Sequence, residues 1–202
     1  MTTLYLVRHG ETVFNATRVV QPADAPLSER GYAQAERLAM RLADAGIESI
    51  RTSDLPRALA TAEAIARRTG AGLELDPDLQ ERSYGAIRGT PYAELREDIF
   101  GPDYVPPEGE TWAAFHARVD RAWDRIVAAG AARTGSMAVV THGLVCWSIV
   151  SRRVSNEASD CTSMRFGNTS VTILDGPSPW RVRTIDCTAH LDDATRGDGA
   201  RA

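Results

Sequence analysis

Residues 4 to 15 read Leu4-Tyr5-Leu6-Val7-Arg8-His9-Gly10-Glu11-Thr12-Val13-Phe14-Asn15. An apolar run of strand character breaks off at a charged pair and a glycine, so polar groups sit at the carboxyl end of a buried strand. In open α/β sheets ligands bind there, because strand ends and helix starts leave backbone N–H groups facing one crevice. Arg8 offers a planar fork of donors matched to phosphate, and His9 a ring nitrogen able to hold a phosphoryl group covalently. Gly10 permits a sharp turn and close approach of the backbone to an anion. Thr12 and Asn15 add short polar side chains to the same loop.

The device recurs further along. Ile47 to Thr52 reads as a strand, and Ser53-Asp54-Leu55-Pro56-Arg57 turns it into a helix running to about Arg68, with Arg57 in the first turn. Ser136 to Thr141 reads as another strand, ends in Thr141-His142-Gly143, and leads into a helix from Leu144 to Arg153. Between them lie a loop at 16–26 carrying Arg18, Gln21 and Pro22, and a helix opened by Ser28 as N-cap. Ala35, Leu38, Ala39, Leu42 and Ala43 keep helical spacing there until Gly46. Leu73 to Leu75 reads as a third strand. Residues 90–110, with four prolines and no period, read as an irregular excursion with one short helix near Tyr92 to Phe100, expected to cover the pocket.

From Glu110 and Thr111 a long helix aligns Trp112, Phe115, Val119, Ala122, Trp123, Ile126 and Val127 on one face, with His116 at its edge as a structural residue. Residues 168–175 and 180–187 read as the last strands. The pattern predicts one domain over residues 1–188, followed at 189–202 by a flexible tail that includes His190.

Composition narrows the partners. The chain has 202 residues, 43% of them hydrophobic, and a net charge of −4, which favours one domain and gives no electrostatic case for nucleic acid or a bilayer. All 23 basic residues are arginine, which excludes an internal Schiff-base lysine and a Walker-type phosphate lysine. Cys146, Cys161 and Cys187 lack Cys-x-x-Cys spacing, which argues against a disulfide framework and a zinc site and for incidental thiols in a reducing compartment. No leader-like start and no apolar run of membrane-spanning length are present, so a cytoplasmic protein is expected. Oligomeric state is not legible, and a homodimer stays open.

Arg8-His9-Gly10-Glu11-Thr12 followed by Asn15 resembles the signature of the histidine phosphatase superfamily, the phosphoglycerate-mutase-like family. The resemblance covers roughly residues 3 to 187 and implies a three-layer α/β/α sandwich around a mostly parallel sheet. It makes His9 the nucleophile, with Arg8, Arg57 (in a Ser53-x-x-x-Arg57-x-x-x-Thr61 context), Asn15, His142 and Gly143 around the phosphoryl group. Glu81, in Leu79-Gln80-Glu81 before Tyr84-Gly85 and Gly89, resembles the family's general acid and base. Phe14, Arg18, Gln21, Tyr84, Ile87 and Arg88 are candidates for the substrate pocket.

Such a set supports hydrolysis of a small phosphomonoester through phospho-His9, with guanidinium groups in place of a metal and no cofactor. His9 must then be neutral, its second nitrogen donating to a carbonyl or carboxylate, whereas His142 works best charged. Glu81 must hold a proton for the leaving alkoxide and then activate water, and a bound dianion raises its pKa. Two alternatives stay open: a phosphoglycerate-type mutase, and a non-catalytic phosphate-ligand sensor. A short stretch between Gly89 and Glu110, and Gln21-Pro22 where mutases usually have Gly-Trp, favour water access and hydrolysis over mutase chemistry.

Overall fold

In the computed structural model, which describes residues 2–131, 135–154, 166–176, 179–192 and 194–196, β1 (Thr3–Arg8) lies inside a six-stranded sheet. It pairs in parallel with β4 (Ser136–Thr141), which pairs with β2 (Ile47–Thr52), and β2 with β3 (Gly72–Leu75). On the other side of β1 the sheet is antiparallel, through β5 (Val171–Asp175) and β6 (Arg181–Cys187). The sheet is therefore mixed, with its four-stranded block parallel.

Alternation along the strands sorts the core into two faces. Leu4, Leu6, Met137 and Val139 meet Phe115, Val119, Trp123 and Ile126 of α4 (Trp112–Ala131) and Val145 and Ile149 of α5 (Gly143–Arg153). Val7, Ile50, Ala138 and Val140 meet Leu38 and Leu42 of α2 (Glu29–Leu42) and Ala58, Ala62 and Ile65 of α3 (Pro56–Thr69). The result is a three-layer α/β/α sandwich, in which each buried Val, Leu, Ile, Phe or Met side chain contributes about 1.5–3 kcal/mol. Ser28 caps α2 by accepting from the Gly31 N–H at 3.0 Å, as its position predicts. None of the described helices is long and apolar enough to cross a membrane.

Three expectations are corrected. Residues 13–16 form a helical turn, α1 (Val13–Ala16), closed by a capping box between Thr12 and Asn15. The helix expected near Tyr92 to Phe100 is a single 3-10 turn at Tyr92–Glu94. Beyond it the backbone is drawn elsewhere: the Arg82 guanidinium donates to the Ile99 and Tyr104 carbonyls, and the Trp112 indole to that of Gly101. The strand expected from residue 168 starts at Val171, because Thr169 adopts φ 53°. In the stretch expected to be a flexible tail, residues 189–192 and 194–196 are described: Leu191 is buried, Gln34 donates to the Thr195 carbonyl at 2.9 Å, and Arg37 pairs with Asp192. Cys161 and residues 197–202 of that tail lie outside the described residues.

Candidate active site

β1 and β4 end in register, Arg8 opposite Thr141, and the His9 N–H donates to the Thr141 carbonyl at 2.9 Å. The next residues, His9 and His142, are therefore neighbours, with ring centroids 5.0 Å apart. β2 ends level with them, its Thr52 opposite Val140. Ser53, one residue on, places Oγ 2.9 Å from His142 Nε2. α3 then starts at Pro56 and sends Arg57, only 2% exposed, into the crevice. One turn later Thr61 donates to the Arg57 carbonyl at 2.8 Å and accepts from the Gly10 N–H at 3.1 Å. The Ser53, Arg57, Thr61 spacing thus joins three strand ends and the first loop.

That loop lies against the start of α2. A Cβ on Gly10 would stand 2.6 Å from the Gly31 oxygen, and one on Gly31 would stand 2.0 Å from the Glu11 oxygen. Glu11 turns away from the crevice, accepting from Ser28 Oγ at 2.9 Å and pairing with Arg30 at 3.3 Å.

His9 Nδ1 lies 2.7 Å from the Gly10 carbonyl. A carbonyl can only accept, so Nδ1 carries the proton and Nε2 is bare. Burial, with Arg57 and Arg8 nearby, holds His9 well below the usual histidine range, so the ring is neutral. The same causes, burial first and then Arg57, hold His142 well below that range too. The charge expected on His142 is one held by bound phosphate, and only such a strongly negative ligand reverses the balance.

Arg8 donates to the Phe166 carbonyl, and Arg57 to those of Pro22 at 3.3 Å and Ala23 at 3.2 Å. Burial lowers both guanidinium groups, Arg57 to about 10, although Glu81 pulls each back up. The Nε atoms of both arginines and His142 Nδ1 are buried without a hydrogen-bond partner among the described residues. Buried polar atoms are rarely left so, and the two guanidinium Nε–H groups are donors with no acceptor among the described residues. Asn15 spends its Oδ1 on the Thr12 and Asn168 N–H groups, so Nδ2 is its remaining donor. Gly143 opens α5 beside Arg8, its Cβ position 3.6 Å from Arg8 Nε, so the N-terminus of that helix faces the same crevice.

Glu81 is half-buried. Its Oε1 accepts from the Arg82 N–H at 2.9 Å and its Oε2 from the Leu144 N–H at 3.2 Å. Burial raises its pKa above the ordinary carboxylate value, and these two N–H groups, then Arg57 and Arg8, oppose the rise. Among the described residues no three His, Cys, Asp or Glu side chains are grouped to hold a metal ion.

The pocket candidates divide. Gln21 accepts from Thr12 Oγ1 at 2.9 Å, beside the first loop. Val19 bridges Pro91, which sets the exposed Arg18 guanidinium 5.8 Å over the Tyr92 ring. Tyr84 is buried with Val20 and Ile99, and Ile87 packs against that cluster. Arg88 is exposed and donates to Ser83 Oγ at 3.2 Å. Phe14 is half-buried on α1. His116 bonds Ser148 Oγ at 2.9 Å and stacks on Trp112, a structural residue as expected.

Sequence reading missed Tyr92, whose phenol is raised by burial and then by the charge on Glu81, and Asn168, which donates to the His9 carbonyl at 3.1 Å. It quoted Ser53 only as context. The one available signal was the polar cluster Asn168-Thr169-Ser170 ahead of a strand.

Residues 4–185 match the histidine phosphatase superfamily (branch 1). The chain is 31% identical over 209 residues to the probable phosphoglycerate mutase GpmB of Erwinia tasmaniensis, with 96% of each chain covered. Among solved structures it is similar to Bacillus stearothermophilus YhfR, at 30% identity and TM-score 0.81, over 95% of this chain and all of that one. It is also similar to mycobacterial glucosyl-3-phosphoglycerate phosphatase in complex with VO3, at 26% identity and TM-score 0.81, over 93% and 100% of the two chains. A family match over nearly the whole length, on a fold whose strand ends bring Arg8, His9, Arg57 and His142 into one crevice, identifies the chain as a member of the histidine phosphatase superfamily.

Proposed function

We propose that the protein hydrolyses the phosphomonoester of a small metabolite in two steps through phospho-His9. The observation that carries this reading is the 2.7 Å contact of His9 Nδ1 with the Gly10 carbonyl, which presents a bare Nε2 among guanidinium groups. Arg8, Arg57, Asn15 and the N-terminus of α5 at Gly143 hold the phosphoryl oxygens, and His142 adds a donor once the dianion has raised its pKa. His9 Nε2 forms a bond to phosphorus as the ester oxygen leaves with the proton of Glu81. Glu81, now a carboxylate, takes a proton from water, whose oxygen displaces the imidazole and releases inorganic phosphate.

A denaturing alkaline quench during turnover of a ³²P-labelled ester should leave the label on His9, stable to base, lost on acidification and absent from His9→Ala. Label elsewhere, or a His9→Ala enzyme that is merely slower, would refute the assignment. Because guanidinium groups neutralise the charge, EDTA should leave the rate unchanged. The substrate is a soluble metabolite of a reducing, cytoplasmic compartment, in keeping with the unpaired thiols of Cys146 and Cys187. The 90–110 excursion is the proposed cover of the pocket.

The name of the Erwinia relative supports a second reading, phosphoglycerate-type mutase chemistry, in which the phosphoryl group returns to substrate before water arrives. The name of the mycobacterial phosphatase supports the first. Phosphate release measured against exchange between 2- and 3-phosphoglycerate separates the two.

A further inference from the structure

Glu81 stands on a stretch without helix or strand, between 3-10 turns at Pro77–Leu79 and Gly85–Ile87. The backbone of that stretch is held from outside. Arg118 of α4 donates from Nη1 to the carbonyls of Asp78 at 2.9 Å and Gln80 at 2.5 Å, and from Nη2 to that of Glu81 at 3.1 Å. Its remaining donors reach the Glu110 carboxylate, Nε to Oε1 at 2.7 Å and Nη2 to Oε2 at 2.8 Å. A guanidinium has five N–H groups, and all of them are used here.

Glu110 closes the clamp from the other side. Its N–H donates to the Ser83 carbonyl at 2.8 Å, its Oε2 accepts from the Ser83 N–H at 3.3 Å, and its carbonyl accepts from Arg82 Nε at 3.0 Å. The strap before it lies directly on the loop: the Ala86 N–H donates to the Pro107 carbonyl at 2.9 Å, and a Cβ on Gly85 would stand 2.1 Å from that oxygen. The peptide plane between Glu81 and Arg82 is therefore fixed, and the Arg82 N–H in that plane is one of the two donors that orient the Glu81 carboxyl group.

We infer that Arg118, braced by Glu110, is a positioning residue that aims the Glu81 carboxyl group at the leaving-group oxygen. The inference rests on the proton-donor role proposed above for Glu81. A lysine keeps the charge of Arg118 but presents its donors from a single nitrogen, which cannot span three carbonyls and a carboxylate.

The test uses leaving groups. Departing nitrophenolate needs little help from an acid, whereas phenolate and alkoxide need a proton, and kcat/KM covers only the steps up to phospho-His9. Arg118→Lys should lower kcat/KM for phenyl phosphate on the order of 10-fold relative to p-nitrophenyl phosphate, a fraction of what general acids supply. Glu110→Gln, should Arg118→Lys not fold, should move the ratio in the same direction, and Glu81→Gln should move it furthest. Equal loss on both substrates, or no loss, in folded Arg118→Lys and Glu110→Gln while Glu81→Gln stays selective overturns the role of Arg118 alone. A Glu81→Gln enzyme without leaving-group selectivity removes the proton-donor role itself, and the positioning role with it.

Discussion

The rings of His9 and His142 stand 5.0 Å apart, tilted by 60°, because two parallel strands end side by side. Both are neutral by themselves, chiefly through burial. A phosphate dianion beside them favours protonation of the ring that is not engaged as nucleophile. Binding of inorganic phosphate near neutral pH should therefore take up a proton at His142, and affinity should rise as pH falls. Titration calorimetry in buffers of different ionisation enthalpy measures the uptake, and His142→Ala should abolish it.

Arg57 is a buried charge that Arg8 repels and whose Nε lacks a partner. Arg57→Met keeps most of the volume and removes the charge. Loss of a transition-state donor of this kind should lower kcat/KM on the order of 10²-fold or more. The denaturation midpoint should stay level or rise, since a buried charge often costs more than an apolar isostere.

Gly31 admits the Glu11 backbone where a Cβ would stand 2.0 Å from its carbonyl oxygen. Gly31→Ala must push the Gly10–Thr12 loop off α2, and by analogy with overpacked cores should cost about 1–3 kcal/mol. Thermal melting reads that loss. Activity should fall more steeply than stability, because the displaced loop directly follows His9, the proposed nucleophile.

His190 titrates at about 4, pulled down from 6.5 by burial and by Arg41. Between those values the unfolded chain binds more protons than the folded one, as it also does at His9 and His142. The stability that His190 supplies is complete above about pH 6.5 and is lost as pH falls through about 4, and His9 and His142 act in the same sense. Glu81 works in the opposite sense: with its folded pKa raised, its contribution is present at low pH and lost as pH rises through that pKa. Urea midpoints should be higher at about pH 7 than at about pH 5, and His190→Gln should narrow the difference.

Much of this was legible in the sequence because strand ends announce themselves. Val7 to Gly10 and Val140 to Gly143 each pass from apolar residues to a histidine and a glycine, and Ser28 and Gly46 bracket a helix by local chemistry alone. Ser53, Asn168 and Thr61 gave no comparable sign, since their partners are His142, His9 and Gly10, up to 159 residues away. The helical turn at Val13–Ala16 is shorter than any periodic signal. The contacts of Leu191, Asp192 and Thr195 gave no sign because Leu191 is a lone apolar residue among Asp, Arg, Gly and Ala, and the partners Gln34 and Arg37 stand on a distant helix.

The hydrogen-bonded neighbours of β1 are Met137–Thr141 on one side and Val171–Asp175 on the other. A ribosome making this polypeptide therefore delivers the segment bearing Arg8 and His9 well before its flanking strands. Until residue 175 has emerged, that apolar segment waits with open edges, ready to stick to a neighbouring chain. Translation halted before that point should yield an insoluble fragment rather than a weakened enzyme, so competence arrives all at once when Val171–Asp175 has been made.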